Sequence, residues 1–399
     1  MIEVYDEKEK CCGCGLCAYI CPKSAIKMRE DEFGFLYPVI DSIKCIDCKA
    51  CEKICAYKEE NLSAIRESYA AVNQNKDILQ QAASGGMFGA LAEKFLNEGG
   101  CVCGSEMSFE QGHVNVKHIL IDSLQDLYKL QGSKYVQSDT TKIFDSIISK
   151  LKEGKEVLFS GTPCQVAAIK RLVGKKYADK IYTIDIICHG VPSKRLLDDY
   201  IQQEMEKQKI VVQEFKFRDK QFGWGLDGSI KGKDTDSNTV FQKINPDTSS
   251  YYRFFLDGET YRDSCYECPF AQDKRAGDLT IGDYWGVEKY SAELLDENGG
   301  PFSKSKGVSC LFVNTNQGKK LLDNCGMDIL KKAVETSKIK IINTQLREPA
   351  HSSNLRKKLF KGYAKNGYQY IEKIFIRKKR ISNTKQYIKL VIKRIIGRS

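Results

Sequence analysis

CCGCGLCAYICP at residues 11–22 and CIDCKACEKIC at residues 45–55 are the stretches that say most about the architecture of this 399-residue chain. Both follow the spacing C-x2-C-x2-C-x3-C, in which three closely spaced thiolates hold one iron–sulfur cube and the fourth reaches a second cube. The spacing therefore predicts two 4Fe-4S clusters. One is expected on Cys11, Cys14, Cys17 and Cys55, and the other on Cys45, Cys48, Cys51 and Cys21.

Two zinc knuckles are the alternative interpretation of these stretches. Structural zinc sites usually combine two short C-x2-C units rather than four cysteines in one rhythm, so clusters are favoured. Cys12 breaks the spacing and is expected not to be a ligand.

The seventeen cysteines also bear on where the chain resides. The first ten residues, MIEVYDEKEK, contain no apolar segment of the kind that directs secretion. No run approaches the roughly eighteen consecutive apolar residues of a membrane-spanning helix. Thiols in a reducing compartment indicate metal or redox chemistry rather than disulfides. We therefore expect a globular, cytoplasmic, metal-binding protein.

Strand-like apolar runs alternate with helix-like stretches from about residue 68 to 320, which is typical of an α/β core. Residues 157–160, for example, precede a tight GTPC turn and the helix-like QVAAIKRLV. We predict a mixed α/β core, a small N-terminal α+β domain and a basic helical C-terminal tail. The expected boundaries are 1–60 for the two-cluster domain, 67–150 and 151–325 for the two parts of the core, and 326–399 for the tail.

Seven motifs in the core resemble the coenzyme F420 hydrogenase/dehydrogenase beta-subunit family, and they occur in family order. They are SGGMFGAL (84–91), GSKYVQS (132–138), SGTPCQVAAIKRL (160–172), DIICHGVPS (185–193), FRDKQFGWG (217–225), SCYECPF (264–270) and DLTIGDYWG (278–286). Residues 1–60 resemble a bacterial two-cluster 4Fe-4S ferredoxin domain. The resemblance also implies that the core is a flavin-binding domain. Residues 67–150 are its N-terminal part and residues 151–325 its C-terminal part.

The resemblance implies an FAD-dependent iron–sulfur oxidoreductase. Single electrons would pass through 4Fe-4S clusters to or from FAD, which exchanges a hydride with coenzyme F420 or another small acceptor or donor. A redox partner protein is also implied, either a ferredoxin or a dehydrogenase or hydrogenase subunit. The alternative is an electron-transfer subunit without its own substrate pocket that feeds a separate catalytic partner.

Four further cysteines form a second constellation. Cys164 and Cys188 each follow a predicted strand, and Cys265 and Cys268 form a C-x2-C unit. Because open α/β sheets bind ligands at the carboxyl ends of parallel strands, we expect these thiols to meet and hold a third 4Fe-4S cluster. The resemblance supports this cluster. A dithiol redox pair at Cys265 and Cys268, or unconnected buried thiols, are the alternatives.

Glycine- and hydroxyl-rich turns before helices are the candidate FAD contacts, because free backbone N–H groups at a helix start bind pyrophosphate. Lys134 is expected to supply a cation to the phosphates or to the reduced ring. The full set is Ser84, Gly85, Gly86, Lys134, Tyr135, Gln137, Ser138, Gly161 and Thr162. The alternative is that these residues serve turns and caps alone, and no catalytic residue is assigned.

The tail accounts for more than the whole net charge of +11. Residues 356–399 hold fifteen Lys or Arg and one acid, Glu372, so the rest of the chain is nearly neutral. Apolar residues recur there at helical spacing, at Ile388, Val391, Ile392, Ile395 and Ile396. This amphipathic pattern predicts peripheral contact with an anionic membrane surface. Docking on a partner protein and packing on the body are alternatives, and no nucleic-acid binding is expected.

Overall fold

The computed structural model describes residues 4–5, 7–57 and 61–396, with side chains in the last helix up to residue 381 and at residue 384. The N-terminal region contains helix α1 (Leu16–Ile20), strands β1 (Ile26–Glu30) and β2 (Leu36–Ile40), and helix α2 (Ala50–Ile54). The two strands pair antiparallel. This region is the small α+β unit that the cysteine repeat predicts.

The two cysteine stretches also share a backbone geometry. Gly15 and Lys49 precede α1 and α2 in the left-handed conformation, with φ of 79° and 56°. Cys21 and Cys55 end the same helices with extended backbones, at ψ of 111° and 113°. Each stretch therefore makes the same sharp entry into a short helix and the same exit at its fourth cysteine.

The core is built on an eight-stranded mixed sheet and a three-stranded antiparallel sheet. The eight-stranded sheet contains β3 (Glu67–Asn73), β4 (Cys101–Glu110), β5 (His113–Ile121), β6 (Val157–Gly161), β7 (Ile181–Ile186), β11 (Leu279–Asp283), β12 (Ser309–Val313) and β13 (Ile329–Ala333), in the order β13-β3-β12-β11-β7-β6-β4-β5. The smaller sheet contains β8 (Ile210–Lys216), β9 (Gly228–Asp234) and β10 (Thr239–Ile244).

Helices cover the sheets and follow the strands. They are α3 (Lys76–Gln80), α4 (Met87–Asn97), α5 (Leu127–Leu130), α6 (Phe144–Lys152), α7 (Pro163–Val173), α8 (Lys194–Gln208), α9 (Ser250–Leu256), α10 (Val287–Tyr290), α11 (Asn316–Asn324), α12 (Thr336–Ile342), α13 (Asn354–Asn366) and α14 (Tyr368–Ile396). The mixed α/β fold class expected from the sequence is confirmed.

The centre of the large sheet positions the site. Strands β4, β6, β7 and β11 run parallel to their neighbours in that group. Their buried apolar residues form continuous runs, as in Val157, Leu158 and Phe159, because both faces of the sheet are covered. Parallel strands bring their carboxyl ends to one edge, and the turns after β6 and β7 therefore lie side by side.

The segment expected to form a wholly helical tail, residues 326–399, begins differently. Its first element is β13, which pairs antiparallel with β3 at the edge of the large sheet. Ile329 is buried with Leu321 and Leu322 of α11, and burial of this side chain favours the strand. Helices α12, α13 and α14 follow, so the helical part starts later than predicted.

Helix α14 packs its first turns on the body of the chain. Tyr368, Ile371 and Phe375 are buried in the same apolar cluster as residues of α8 and α9. The side chains of the predicted membrane-facing stripe, Ile388, Val391, Ile392, Ile395 and Ile396, lie outside the described residues. Across the part of the chain that was described, no helix is both long and apolar enough to cross a membrane.

Candidate functional site

Four N-terminal cysteines surround one cavity in the α+β unit. Cys21, Cys45, Cys48 and Cys51 line it, and we call them the outer cysteine group. The backbone N–H of Ala25 donates to Cys21 Sγ at 3.3 Å. Cys48 is exposed, so this group reaches the protein surface.

The other four N-terminal cysteines, Cys11, Cys14, Cys17 and Cys55, lie against the core, and we call them the inner cysteine group. Cys11 and Cys17 each interact electrostatically with Cys55, so the last cysteine of the second stretch faces the first stretch. Burial raises the pKa of Cys17 to about 12.

A cluster and a single metal ion require different spacings of their ligands. In the described residues, no three His, Cys, Asp or Glu side chains are close enough together to hold one metal ion. A zinc ion needs its thiolates about 2.3 Å from a single centre, whereas the thiolates of a cubane bind different irons.

A larger cavity lies at the carboxyl ends of β6 and β7, and we call it the core cavity. It has a volume of about 760 Å³, part of it open to solvent. The four cysteines of the second constellation all line it. They are Cys164 in the first turn of α7, Cys188 after β7, and Cys265 and Cys268 in the loop before β11.

These four thiols are mutual neighbours. The thiols of Cys188, Cys265 and Cys268 each interact electrostatically with Cys164. Burial raises the pKa of these three well above its ordinary value. Bound metal deprotonates coordinating thiols, so a buried thiol set of this kind fits a metal cofactor.

Cys12 also lines the core cavity, although its position outside the spacing suggested no role. Its thiol interacts with those of Cys14 and Cys164. The inner cysteine group and the core cavity are therefore adjacent. Cys11 belongs to the inner cysteine group, and the next residue, Cys12, lines the core cavity. In the sequence, the only indication of a role for Cys12 was its position directly after the proposed cluster ligand Cys11.

A buried ion pair holds the loop that carries Cys265 and Cys268. Arg275 and Asp185 are 1% and 0% exposed at their side chains and lie 3.2 Å apart. Asp185 also accepts from the backbone N–H groups of Ala276 and Gly277 at 3.0 Å. Asp185 thus fixes the end of β7 against the start of β11.

Three of the candidate FAD contacts line the core cavity, namely Gln137, Ser138 and Thr162. Thr162 Oγ1 lies 3.1 Å from Cys164 Sγ and caps α7 with Gln165. Gln165 in turn donates to Ser138 Oγ at 3.1 Å. Thr162, Gln165 and Ser138 therefore form one hydrogen-bonded wall, while Gln137 Nε2 donates to Cys12 O at 2.9 Å.

His118 completes this wall and was missed by the sequence analysis. Its Nδ1 lies 3.0 Å from Ser138 Oγ, and its Nε2 lies 3.1 Å from Ser160 O. Burial lowers the pKa of His118 to about 4, so the ring is neutral at physiological pH. No motif marked this histidine, which arrives from β5.

The glycine-rich candidates lie away from the core cavity. Ser84 Oγ donates to Val308 O, and a Cβ on Gly85 would stand 2.4 Å from Ala71 O. Gly86 is the left-handed N-cap of α4. Gly161 ends β6 opposite Asp185. These four residues make turn, cap and packing contacts within the chain, and their contact with FAD stays a prediction.

Lys134 and Tyr135 are set deeper in the protein. Lys134 Nζ donates to the backbone oxygens of Gln131 and Lys129 at 2.7 and 3.3 Å. Burial lowers the pKa of Lys134 to about 7. Tyr135 stacks on Phe255 with ring centroids 4.5 Å apart.

A second group, which we call the tryptophan site, was not predicted. Trp224 and Trp285 stack with ring centroids 4.9 Å apart and planes within 1°. Asp283 accepts from Trp224 Nε1 at 2.7 Å and from Arg218 Nη1 at 2.5 Å. Lys220 Nζ contacts the backbone oxygen of Ser84, and burial lowers the pKa of Lys220 to about 8.

Arg218 links the tryptophan site to the candidate FAD residues. Its side chain interacts electrostatically with Tyr135. Its Nη2 is buried and has no hydrogen-bond partner within the part of the chain described. His189, on the wall of the core cavity, interacts electrostatically with Asp283. The core cavity and the tryptophan site are therefore neighbouring regions.

Two parts of the chain match known protein families. Residues 154–341 match the C-terminal part of the coenzyme F420 hydrogenase/dehydrogenase beta-subunit family, and residues 10–58 match a 4Fe-4S dicluster domain. An uncharacterized ferredoxin of Methanocaldococcus jannaschii is 32% identical over 75 residues, which are 19% of this chain and 96% of that protein. A solved structure of the F420-reducing NiFe hydrogenase complex from Methanosarcina barkeri aligns at 16% identity and a TM-score of 0.45, over 79% of this chain and 94% of that one.

The cysteine groups and the matched dicluster domain define an iron–sulfur electron-transfer protein. Residues 154–341 carry the C-terminal part of the coenzyme F420 hydrogenase/dehydrogenase beta-subunit family, and residues 10–58 carry a 4Fe-4S dicluster domain. The resemblances drawn from the motifs are confirmed.

Proposed function

We propose that this protein is an FAD-dependent iron–sulfur oxidoreductase that exchanges a hydride with coenzyme F420 or another small molecule. One observation carries the proposal: consecutive residues, Cys11 and Cys12, connect the inner cysteine group to a cavity lined by four more cysteines. When bound, 4Fe-4S clusters carry single electrons, while FAD collects two and exchanges a hydride. The thiol groups lead from the exposed Cys48 through the inner cysteine group to the core cavity, as such a relay requires.

The thiols divide into three proposed ligand sets. The inner and outer cysteine groups each hold one 4Fe-4S cluster, a proposal that the match of residues 10–58 to a dicluster domain supports. Cys164, Cys188, Cys265 and Cys268 hold a third. Thr162 Oγ1, at 3.1 Å from Cys164 Sγ, orients this ligand and stabilises charge on its sulfur.

The proposed FAD site spans the core cavity and the tryptophan site. Arg218 has a buried, unpartnered Nη2, as judged from the described residues, and Lys220 bonds to backbone oxygens of Ser84 and Lys306. Buried cations of this kind fit an anionic ligand, and the stacked indoles suit a planar one. Gln137 and Ser138 supply hydrogen bonds from the cavity side.

A redox partner protein is proposed to dock at the outer cysteine group. Cys48 is exposed there, and the neighbouring Ile43 and Ile46 are 95% and 58% exposed. Exposed apolar side chains beside a one-electron centre suit a transient protein contact. A ferredoxin or a dehydrogenase or hydrogenase subunit is the proposed partner. The membrane contact of the tail and the cytoplasmic location stay predictions.

Cofactor content and reduction by substrate test the proposal. Protein purified without oxygen is expected to contain FAD and to lose its flavin absorbance when reduced coenzyme F420 is added. Reduction with dithionite is the control that shows the flavin to be redox-active. A protein that holds iron but takes up no FAD, even after FAD is added, would contradict the enzyme and support the electron-transfer subunit.

A further inference from the structure

Arg262 lies between the inner cysteine group and the core cavity and is 0% exposed. Its Nε donates to Cys11 O at 2.6 Å, and its Nη2 donates to Leu36 O at 2.8 Å. The same Nη2 lies 3.8 Å from Cys11 Sγ. A guanidinium group therefore contacts both the backbone and the sulfur of one proposed cluster ligand.

The positive charge of Arg262 has no carboxylate partner in the described part of the chain. The adjacent acid, Asp263, pairs with Arg356 at 2.6 Å instead. The ring of Tyr37 covers the guanidinium group, 4.0 Å from its centroid. An unpaired buried charge is costly, so this position requires compensating negative charge. The nearby sulfurs of Cys11 and Cys12 are the groups that can supply it.

The backbone also reserves space for this side chain. Gly13, in the first cysteine stretch, has φ of 69°, and a Cβ there would stand 2.8 Å from Arg262 Nη1. The loop around the inner cysteine group is thus shaped to admit the guanidinium group.

The outer cysteine group has a different electrostatic environment. The lysines that line its cavity, Lys23 and Lys49, are exposed. Water and salt screen exposed charges far more than buried ones. A fixed cation close to sulfur is therefore a property of the inner group.

We propose that Arg262 raises the reduction potential of the inner cluster above that of the outer cluster. Hydrogen bonds to sulfur and local charge set the potential of 4Fe-4S centres, and a cation favours the reduced form, which carries one more negative charge. Electrons entering at the exposed outer group then settle on the cluster nearest the core cavity. This inference rests on the ligand sets proposed for the two N-terminal clusters and requires neither FAD nor a third cluster.

Redox titration of the full chain, followed by electron paramagnetic resonance, tests the inference. In Arg262→Met, we expect the reduction potential of the inner cluster to fall relative to that of the outer cluster by at least about 59 mV. This is a shift of about tenfold in the distribution of one electron toward the outer cluster. Lys49→Gln is the matched control, because it removes an exposed charge beside the outer cluster and is expected to change the equilibrium less than about twofold.

Iron content is measured in parallel, so that loss of a cluster is not mistaken for a change in potential. If Arg262→Met loses iron, Arg262→Lys becomes the test, and a smaller shift of the same sign is expected because lysine lacks the forked donors. An unchanged inner potential in a variant with full iron content would overturn the inference. If the two cluster potentials differ as expected but the protein binds no flavin, the proposed FAD-dependent function is contradicted and the inference about Arg262 stands.

Discussion

The N-terminal cysteine groups and the core cavity use the same ligand type but are built differently. The outer and inner groups draw their thiols from two local loops, each with a left-handed residue before a short helix. The core cavity draws Cys164, Cys188 and the loop of Cys265 from separate elements that meet only because β6, β7 and β11 are adjacent. The first arrangement depends on loop geometry, whereas the second depends on the stability of the whole sheet.

The buried ion pair of the core offers the largest test of this difference. Arg275→Met leaves Asp185 buried without its partner, so we expect the free energy of unfolding to fall by about 3–5 kcal/mol. Chemical denaturation followed by circular dichroism measures it. Arg253→Met is the control, because Arg253 pairs with Asp247 at the surface and its loss is expected to cost at most about 1 kcal/mol. Equal losses in the two variants would refute the role assigned to Asp185 and Arg275.

Loop geometry is tested next by Gly13→Ala. A left-handed φ costs a non-glycine residue about 1–2 kcal/mol, and the new Cβ would also press on Arg262 and Leu36 O. The control is Gly154→Ala, where φ is 86° but nothing lies within 4 Å of the added Cβ. We expect Gly13→Ala to lose more stability and some iron, and Gly154→Ala to retain its iron. Full iron content in both variants would show that the inner loop tolerates crowding.

The tryptophan site is tested through the affinity for FAD. Lys220→Met removes a buried cation, and we expect FAD binding to weaken by about tenfold, or about 1.4 kcal/mol, at pH 7. Lys304→Met, at an exposed lysine, should bind FAD as the wild type does. Fluorescence titration of flavin-depleted protein provides both dissociation constants.

The same lysine predicts a pH dependence. Because burial lowers the pKa of Lys220 to about 8, the free side chain loses its proton above this pH, and binding an anion must then take up a proton. Wild-type affinity for FAD should therefore fall as pH rises above about 8, whereas Lys220→Met should lack this component. Identical pH profiles would place the phosphates of FAD elsewhere.

The smallest effect is expected at the outer surface. Ile46→Lys places a charge beside exposed Cys48, and we expect the KM for a reduced ferredoxin donor to rise by about threefold to tenfold while the reduction potentials stay unchanged. Met327→Lys, at a side chain that is 89% exposed and far along the chain, is the control. A KM that rises equally in both variants would indicate a general charge effect instead of docking.

The sequence was most informative where chemistry depends on local spacing. The cysteine rhythm predicted the dicluster domain, and the position of Cys164 and Cys188 after strands predicted that they would approach each other. The glycine turns were less informative, because a glycine that packs closely, as Gly85 does against Ala71, has the same sequence signature as one that binds phosphate.

Long-range contacts could not be predicted in this way. Arg262 and His118 lie outside the seven motifs and acquire their surroundings only when distant segments meet. Lys220 lies within FRDKQFGWG, but its contacts with Ser84 O and Lys306 O also join distant segments. Strand β13 was missed for a similar reason, because its pairing with β3 brings together residues more than 250 positions apart, such as Ile329 and Asn73.

Iron content in wild type and two single-thiol variants tests the central claim most directly. Three 4Fe-4S clusters predict about twelve irons per chain in protein purified without oxygen, and about eight in both Cys265→Ser and Cys51→Ser, because the core and outer sets are separate. Cys325→Ala, at a buried thiol outside all three groups, should keep the wild-type content. A wild-type content of about eight irons that Cys265→Ser leaves unchanged would contradict the claim that the core cavity holds a cluster.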